Sequence, residues 1–538
     1  MSRTGSTYIR VLAATSLCLS LQGCMVGPDY QRPTAALNPD WLEQETLTFP
    51  RDRAAVTDWW TVFNDPVLDR LVEIAYRQNL DLEAAGLRVV QARASRGIAV
   101  GDFFPQEQAI NGNLDNNSIS RNETSAGDDR YFATAGLSLD VAWELDFWGK
   151  FRRGIETEDA VLLASIAEYD DVLVSLLAEV ALTYVDIRTT EVRLELARAN
   201  VTSQESSLEI ADVRFRNGAT TELDVTEARS TLANTQSTIP SLEADLRSAK
   251  LAMCVLLGRP PELLESELAG STGIPIAPPE IAVGAPAELL RRRPDVRLAE
   301  RLAAAQSAQI GVATADLLPS ISITGSTGLD TSTADPPRAI GADLIDVVNA
   351  QSFSGFIGLV VDWPILNYGR ITNNIRVQDA AYQEAVADYR ATVLDAAAEV
   401  EDALYSFLRT REQYDFLAES AEAAARSLEL ATTQYTEGSV NFVRVNDANT
   451  LLTEQQDDAA QSLGAIAEQL ILAYKALGGG WESRVGNEFI PAETAKQMRA
   501  RTDYGGILDP DDAEGGARLF VPPSAIDETY LNEPDQEN

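Results

Sequence analysis

The chain has 538 residues, of which 45% are hydrophobic and 23% are charged, and its formal net charge is −39. This composition predicts an ordered protein with more than one hydrophobic core. The excess of 82 acidic over 43 basic residues argues against a nucleic-acid partner, because phosphate backbones bind basic surfaces. The sequence has no histidine, the most common general base and metal ligand, so its composition weighs against an enzyme.

The N-terminus has the pattern of a secretory leader. Arg3 and Arg10 precede an apolar stretch, and the letters LQGC end at Cys24. A small residue directly before a cysteine resembles the bacterial lipobox, in which the thiol receives a diacylglyceride. We therefore predict that residues 1–23 are a cleaved signal peptide and that Cys24 carries a diacylglyceride and an N-acyl chain. The alternative is an ordinary signal peptide with a chance cysteine.

The residue after Cys24 is compatible with delivery of the predicted lipoprotein to the outer membrane. In bacterial lipoproteins an aspartate at the next position commonly causes retention in the inner membrane, and here Met25 occupies that position. Residues 24–65 are expected to form a lipid-anchored N-terminal extension. Cys254 is the one cysteine of the mature body, so the mature chain cannot form an internal disulfide. The acyl groups are the sole attached groups that we predict, with no cofactor and no metal.

The two halves of the chain are similar when the sequence is shifted along itself. The shift is 214 residues at first and 220 residues later. This self-similarity predicts two repeats of one architecture, residues 66–283 and 284–482. Aligned pairs include Asp81 with Asp295, Gly97 with Gly311, Pro105 with Pro319, Trp143 with Trp363, Gly149 with Gly369, and Gly218 with Gly438.

The first repeat changes its periodicity twice. Apolar residues from Leu68 to Val100 have helical spacing, and this run closes before Pro105. From Tyr131 to Trp148 the odd positions are apolar and the even positions are mostly polar, which predicts a strand with one apolar and one acidic face. A long helical pattern follows and turns at Gly218, and Pro240 is expected to kink the returning helix.

The second repeat has the same succession. Ala287–Ala315 is helical, and Ser320–Thr324 and Phe353–Ile365 alternate as strands. The stripe of apolar residues from Arg370 to Tyr435 keeps steps of three and four, which predicts a helix about 100 Å long. After a glycine, a second helix is expected over Phe442–Leu477.

The two hairpins, at about residues 105–148 and 318–368, supply four strands per chain. A transmembrane barrel needs at least about eight strands, and an open edge in lipid leaves backbone groups unpaired. We therefore predict a mainly α chain with a membrane β-barrel portion, in which several copies share one barrel and the long helical hairpins continue it as a second cylinder. The alternative is a pair of hairpins packed on a soluble core.

Several segments resemble the outer-membrane factors, the TolC-like family, in the NodT-type lipoprotein subgroup. The resemblance covers about residues 24–482, and its most specific segment is RRRPDV. The matching segments are CMVGPDY at 24–30, WW with F and DP at 59–66, RRRPDV at 291–296, LPSIS at 318–322, and Gly438 followed nine residues later by Asp447-Ala448.

This resemblance implies a homotrimer with a twelve-stranded barrel in the outer membrane and a twelve-helix periplasmic tunnel. It implies export of small molecules as the outer component of a tripartite efflux system, with a periplasmic adaptor protein and an inner-membrane pump of the RND type as partners. Drug, metal, dye and oligosaccharide cargo all stay open.

The resemblance also suggests a periplasmic gate. Asp447 matches an aspartate that forms a ring across the tunnel axis, and Tyr435 matches a tyrosine of the closing network. Gln434 replaces the arginine often found before that tyrosine, while Arg214 occupies the equivalent place in the first repeat. The alternative for Asp447 is a solvated carboxylate on a helix face, and for Tyr435 simple packing. The turns at Gly218 and Gly438 are the expected adaptor and pump contacts, or else ordinary helix caps.

Three other features have structural interpretations. Arg291–Arg293 precede a proline that suits the first turn of a helix, so they are expected to support the fold and not an anion site. Trp59 and Trp60 are expected to pack under the helices. Residues 483–538 are expected to form an acidic, flexible tail.

Two functions of other classes compete with the channel. One is a structural coiled-coil lipoprotein without a conducting pore, against which the amphipathic strands and interrupted helices argue. The other is a membrane-anchored hydrolase, which the lack of histidine and of a Gly-x-Ser-x-Gly motif disfavours.

Overall fold

A computed structural model describes residues 25–36, 38, 41–42, 57–120, 131–278, 290–333, 347–348 and 350–508, so Cys24 lies outside the described residues. The helices are α1 (Pro66–Gln78), α2 (Leu80–Phe103), α3 (Lys150–Arg216), α4 (Glu222–Leu256), α5 (Pro294–Ala315), α6 (Arg370–Thr436), α7 (Phe442–Ala476) and α8 (Ala492–Arg501). The strands are β1 (Glu107–Ser118), β2 (Tyr131–Glu144), β3 (Ser320–Ser332) and β4 (Phe353–Asp362).

The chain divides into two compact units. The sheet unit comprises the described parts of residues 1–33, 91–164 and 300–388, and the helix unit comprises those of residues 34–90, 165–299 and 389–538. The chain is mainly helical, and its strands form one small sheet. No helix in the described ranges is both long and apolar enough to cross a lipid bilayer.

The four strands form an antiparallel sheet in the order β1-β2-β3-β4. Its register brings apolar residues of neighbouring strands together on one face. Trp143 lies opposite Ile323, which lies opposite Leu359. The neighbouring row joins Glu144, Ser322 and Val360, and therefore belongs to the other face. The alternation predicted for these strands thus produces one apolar face and one mostly polar face.

The polar face is linked by hydrogen bonds between side chains. Asn111 Nδ2 donates to Asp140 Oδ2 over 2.7 Å, and Ser138 Oγ donates to the same oxygen over 2.9 Å. On the apolar face, by contrast, Ile110, Leu137 and Ile357 are exposed in the single chain. An exposed apolar sheet face of this kind suits contact with lipid or another apolar surface.

The predicted strand to Trp148 is four residues too long, because β2 ends at Glu144. Leu145 N–H still donates to Ile321 O over 2.8 Å, and the following Asp146 binds the start of α3. Asp146 Oδ1 accepts a hydrogen bond of 2.9 Å from the backbone N–H of Phe151, and Oδ2 accepts one of 2.8 Å from Arg152 Nε. A carboxylate that accepts the first free N–H groups of a helix stabilises its N-terminus.

The predicted single helix from Leu68 to Val100 is interrupted. Asn79 ends α1 and begins α2, because its Oδ1 accepts hydrogen bonds of 2.9 Å from the backbone N–H groups of Asp81 and Leu82. Its Nδ2 donates to Leu256 O over 3.0 Å. Asparagine is a favoured N-cap residue, so the interruption has a local chemical cause.

The long helices α6 and α7 lie close to their predicted bounds. In contrast, the helix predicted over Ala287–Ala315 is interrupted at Arg293: residues 290–292 are helical, and α5 begins at Pro294. Residue 287 itself lies outside the described ranges. The proline at the first helical position is consistent with this start, because proline lacks the N–H that a first turn leaves unbonded. Pro240 lies inside α4, and its kink stays a prediction.

The core of the helix unit contains the aromatic pair expected under the helices. Trp59 is 1% exposed and stacks on Tyr474, with ring centroids 5.6 Å apart. Arg293 is also buried, and its guanidinium donates to Asp295 Oδ2 over 2.8 Å and to Glu399 Oε2 over 2.7 Å. The structural roles predicted for Trp59 and Arg293 are confirmed by these contacts.

The prediction of a flexible tail from residue 483 is wrong for its first part. Residues 483–508 include α8, and they bury Ile490, Met498 and Leu508 against Val90 of α2. Apolar side chains at helical spacing therefore extend the fold to residue 508, despite the polar composition around them. Residues 509–538 lie outside the described ranges.

A buried carboxyl makes the stability of the helix unit depend on pH. Burial raises the pKa of Asp171 from 3.8 to about 6, with Asp295 adding to the effect and Arg293 opposing it. Because the folded pKa lies above the unfolded one, folding favours the protonated form, and stability is lost as pH rises from 3.8 to about 6.

We therefore expect Asp171→Asn to raise the free energy of unfolding at pH 7.5 by about 1–2 kcal/mol, after allowance for partial solvent exposure. The same change is expected to have little effect at pH 4, where Asp171 is already protonated in the folded chain. Denaturant titrations in detergent at both pH values measure the difference. An equal change in the free energy of unfolding at the two pH values would contradict the raised pKa of Asp171.

Candidate functional site: the turns of the helical hairpins

The turns at the ends of the two long helical hairpins have the same backbone structure. Gly218 and Gly438 adopt φ values of +73° and +80°. Gly218 N–H donates to Phe215 O over 2.9 Å and Ala219 N–H donates to Arg214 O over 2.8 Å, which is a Schellman helix end. The turn at Gly438 repeats these two bonds at the end of α6. Glycine suits both places, because other residues rarely adopt a positive φ.

Arg214 connects the first turn to the second. Its Nη1 donates to Tyr435 O over 2.6 Å and to Thr436 O over 3.0 Å, the last carbonyls of α6. Its guanidinium also lies over the Tyr435 ring, with the central carbon 4.6 Å from the ring centroid. Two effects stabilise the Arg214 cation here. The C-terminus of α6 carries partial negative charge, and the face of the Tyr435 ring attracts cations.

The hydroxyl of Tyr435 makes a second connection. It donates to Asp224 Oδ2 over 3.1 Å, and Asp224 lies in the first turn of α4. The hydroxyl of Thr220 donates to the same carboxylate oxygen. Burial raises the pKa of Tyr435, so its phenol stays a hydrogen-bond donor throughout the neutral range.

An apolar cluster lies beneath these polar contacts. Tyr435 is 2% exposed, and its ring meets Phe442 edge to face with centroids 5.3 Å apart. Ala211 of α3 and Val225 of α4 belong to the same cluster, together with Val445 of α7. The two hairpin ends are therefore held together by apolar burial and by the contacts of Arg214 and Tyr435. Tyr435 thus packs in the cluster and also donates a hydrogen bond to Asp224, while its part in a gate stays a prediction.

Asp447 lies on the other side of α7 from this cluster. Its side chain is exposed in the single chain, whereas the next two residues, Ala448 and Asn449, are buried. Asn446 accepts a hydrogen bond from Thr231 of α4. The structure thus separates two of the predicted gate residues, with Tyr435 in a buried network and Asp447 exposed on the surface of the single chain.

A polar seam continues from these contacts along the interface of α3 with α7. It consists of four side-chain pairs at steps of three to seven residues along α3, which is the spacing of one helix face. Within it, Asn449 Nδ2 donates to Ser207 Oγ over 3.3 Å, and Asn200 Nδ2 donates to Gln456 Oε1 over 3.0 Å. The pairs are Arg193 with Asp457, Asn200 with Gln456, Gln204 with Thr453, and Ser207 with Asn449.

At the far end of the seam the two helices approach closely. A Cβ built on Gly464 would lie 2.3 Å from Thr189 Oγ1 and 2.9 Å from Thr189 Cγ2. We expect Gly464→Ala to lower the free energy of unfolding by about 1–3 kcal/mol, because it overpacks this contact. Adding Thr189→Ala is expected to restore most of the loss, as measured in a double-mutant cycle. Two independent, additive losses would contradict the proposed close contact.

Asp224 and Thr220 were not among the predicted site residues. Both precede or begin α4, where a carboxylate and a hydroxyl are ordinary features of a helix N-terminus. The sequence therefore contains no local signal that distinguishes them. Their role depends on Tyr435, which lies 211 residues from Asp224 along the chain.

A small amphipathic sheet, paired long helical hairpins and linked hairpin turns together define a channel-forming class of outer-membrane protein. The model of the outer membrane efflux protein family matches residues 71–259 and 285–479. The chain belongs to this family, and it is an outer-membrane efflux channel of a tripartite efflux system. The predicted resemblance is confirmed, and the alternative of a coiled-coil lipoprotein without a pore finds no support.

Individual relatives are similar to this chain over most of their lengths. The chain is 32% identical to nodulation protein T of Rhizobium leguminosarum bv. trifolii, over 86% of this chain and 96% of that protein. It is 29% identical to the pyoverdine export outer membrane protein OpmQ of Pseudomonas putida, over 89% and 99%. The solved structure of the outer-membrane channel OprN has a TM-score of 0.79 and 32% identity, over 85% of this chain and all of that one.

Proposed function

We propose that three copies of the chain close a twelve-stranded barrel in the outer membrane and continue as a twelve-helix tunnel in the periplasm. The observation that carries this proposal is the open sheet. Within the described residues β1 pairs with β2 alone and β4 with β3 alone, so each chain has two unpaired edges beside an apolar face. Such edges are unstable in lipid, and pairing β4 with β1 of the next copy removes them.

The gate of this tunnel is proposed to lie at the hairpin turns. Three copies of Asp447 would surround the axis, and like charges that approach each other repel, so other contacts must hold the closed state. The network of Tyr435, Arg214 and Asp224 supplies such contacts within each chain. Release of this network lets the second hairpin separate from the first. The exposed turns at Gly218 and Gly438 would receive the periplasmic adaptor.

The chain is further proposed to be anchored by acyl groups on Cys24 and to serve an inner-membrane pump of the RND type. The family members similar to it are named for different cargo, pyoverdine for OpmQ and cations for CusC. Channels of one architecture thus serve chemically unrelated cargo. This variety supports selection of the cargo by the pump and not by the channel.

Native mass spectrometry of the protein extracted in detergent tests the stoichiometry. The proposal predicts one dominant species of three chains, each 58.3 kDa before signal removal and acylation. The mass of a tryptic peptide that begins at Cys24 tests the lipid separately. A stable monomer would contradict the shared barrel, and an unmodified Cys24 would contradict the anchor alone.

A further inference from the structure

The segment that directly follows Cys24 is built into the sheet unit. Val26 N–H donates to Trp148 O over 3.0 Å. Gly27 adopts a φ of +92°, and a Cβ built on it would lie 2.4 Å from Gly311 Cα of α5. Gly149 adopts a φ of +76°, and its Cβ would lie 2.6 Å from Met25 Cγ. Gly27, Gly149 and Gly311 therefore form a slot around residues 25–27, in which a Cβ on any of the three would collide with a neighbouring atom.

One buried arginine closes the slot. Arg153 is 1% exposed, and its Nε donates to Val26 O over 3.1 Å. Its Nη2 donates to Gly27 O over 3.4 Å and to Asp29 Oδ1 over 2.8 Å. Its Nη1 donates to Glu156 Oε2 over 2.7 Å, which balances the charge from its own helix. A planar guanidinium can make these bonds together, whereas a lysine cannot.

The equivalent place in the second repeat lacks this arrangement. The sequence shifts that align the repeats place Asn373 at the position of Arg153 and Gly97 at the position of Gly311. A Cβ built on Gly97 would meet no atom within 4 Å among the described residues. The arginine and the filled slot therefore occur together at the one position where the N-terminal segment lies.

The sheet unit also has three tryptophans whose indole N–H groups donate to backbone carbonyls next to the ends of the strands. Trp148 Nε1 donates to Pro319 O over 2.8 Å, just before β3, and Trp363 Nε1 donates to Leu317 O over 3.2 Å. Trp143 Nε1 donates to Phe103 O over 3.2 Å. Tryptophan is enriched at the boundary between hydrocarbon and water, where acyl chains begin.

We propose that Arg153 is a positioning residue that locks residues 25–29 into the sheet unit and thereby tethers the acyl chains proposed on Cys24 to that unit. Cys24 is bonded directly to Met25, so a fixed Met25 limits how far the proposed acyl chains can move from the sheet unit. This inference rests on the proposed acylation of Cys24.

Hydrogen exchange of the trimer in detergent, followed by mass spectrometry of the peptide that contains Val26, tests the lock. In Arg153→Met we expect exchange at Val26 and its neighbours to become at least tenfold faster, while β2 and β3 keep their protection. The matched control is Arg96→Met, because Arg96 is a partly buried arginine of the same unit that pairs with Asp159. The control is expected to exchange like the unaltered protein.

Gly27→Ala provides a second variant, because its added Cβ would expel the segment while Arg153 stays in place. It is expected to reproduce the faster exchange even if Arg153→Met fails to fold. Unchanged exchange of this peptide in Gly27→Ala, or in a folded Arg153→Met protein, would overturn the proposal. Acylation is measured on the same samples by the mass of the Cys24 peptide, so an absent lipid is distinguished from an absent lock.

Discussion

Ile357→Arg is expected to abolish assembly of the channel in the outer membrane. Ile357 lies in the middle of β4, is 82% exposed in the single chain, and pairs with Gly325 on the apolar face of the sheet. An arginine on the lipid face of a barrel costs about 2–4 kcal/mol near the bilayer centre. In a trimer the substitution occurs three times, so the total cost reaches about 6–12 kcal/mol, which is comparable to the whole stability of many proteins.

The neighbouring residue provides the control. Phe356 pairs with Ser326, which pairs with Asp140, so it lies on the polar face. We expect Phe356→Arg to retain trimers, because the new charge meets water and a carboxylate. Gel electrophoresis of unheated outer-membrane fractions measures both variants. Equal losses from the two substitutions would contradict the assignment of the faces.

Arg214→Met is expected to open the periplasmic gate. It removes two charge-assisted hydrogen bonds to the end of α6 and the contact with the Tyr435 ring, while it retains most of the side-chain volume. These contacts together contribute about 2–4 kcal/mol to the closed state. Since about 1.4 kcal/mol corresponds to a factor of ten, the open fraction of each chain should rise by at least tenfold.

Entry of a large hydrophilic dye into the periplasm of living cells measures this opening. Arg426→Met is the control, because Arg426 also lies on α6 but pairs with Glu429 on the exposed surface. That variant is expected to behave like the unaltered channel, since exposed ion pairs contribute little. Arg214→Met trimers that assemble normally and stay as closed as the control would show that the contacts of Arg214 do not hold the gate closed.

The regular parts of the fold were predictable because their periodicity is local. The stripe along α6 and the alternation along β2 each follow from burial of one face, and the glycines at 218 and 438 mark the turns by their need for positive φ. Element ends were predicted less well. Asn79 and Asp146 end elements by accepting specific backbone hydrogen bonds, which a periodicity does not reveal.

The candidate site was predictable only in part, for a related reason. The resemblance pointed to Tyr435 and to the place of Arg214. Their partner Asp224 is adjacent to them only after the two hairpins have packed. The contacts of Arg153 with Val26 and Asp29 were unpredictable for the same reason, because they join residues 124 to 127 positions apart. Contacts of this kind depend on tertiary structure, and one sequence contains no pattern for them.

The conductance of the purified trimer in a planar bilayer tests the channel account most directly. We expect small conductance for the unaltered protein, because the network of Tyr435, Arg214 and Asp224 holds the gate closed. We expect a large stable conductance for the variant that combines Arg214→Met with Asp447→Ala. Trimers of this variant that insert into the bilayer and never conduct would contradict a continuous pore through the barrel and the helical hairpins.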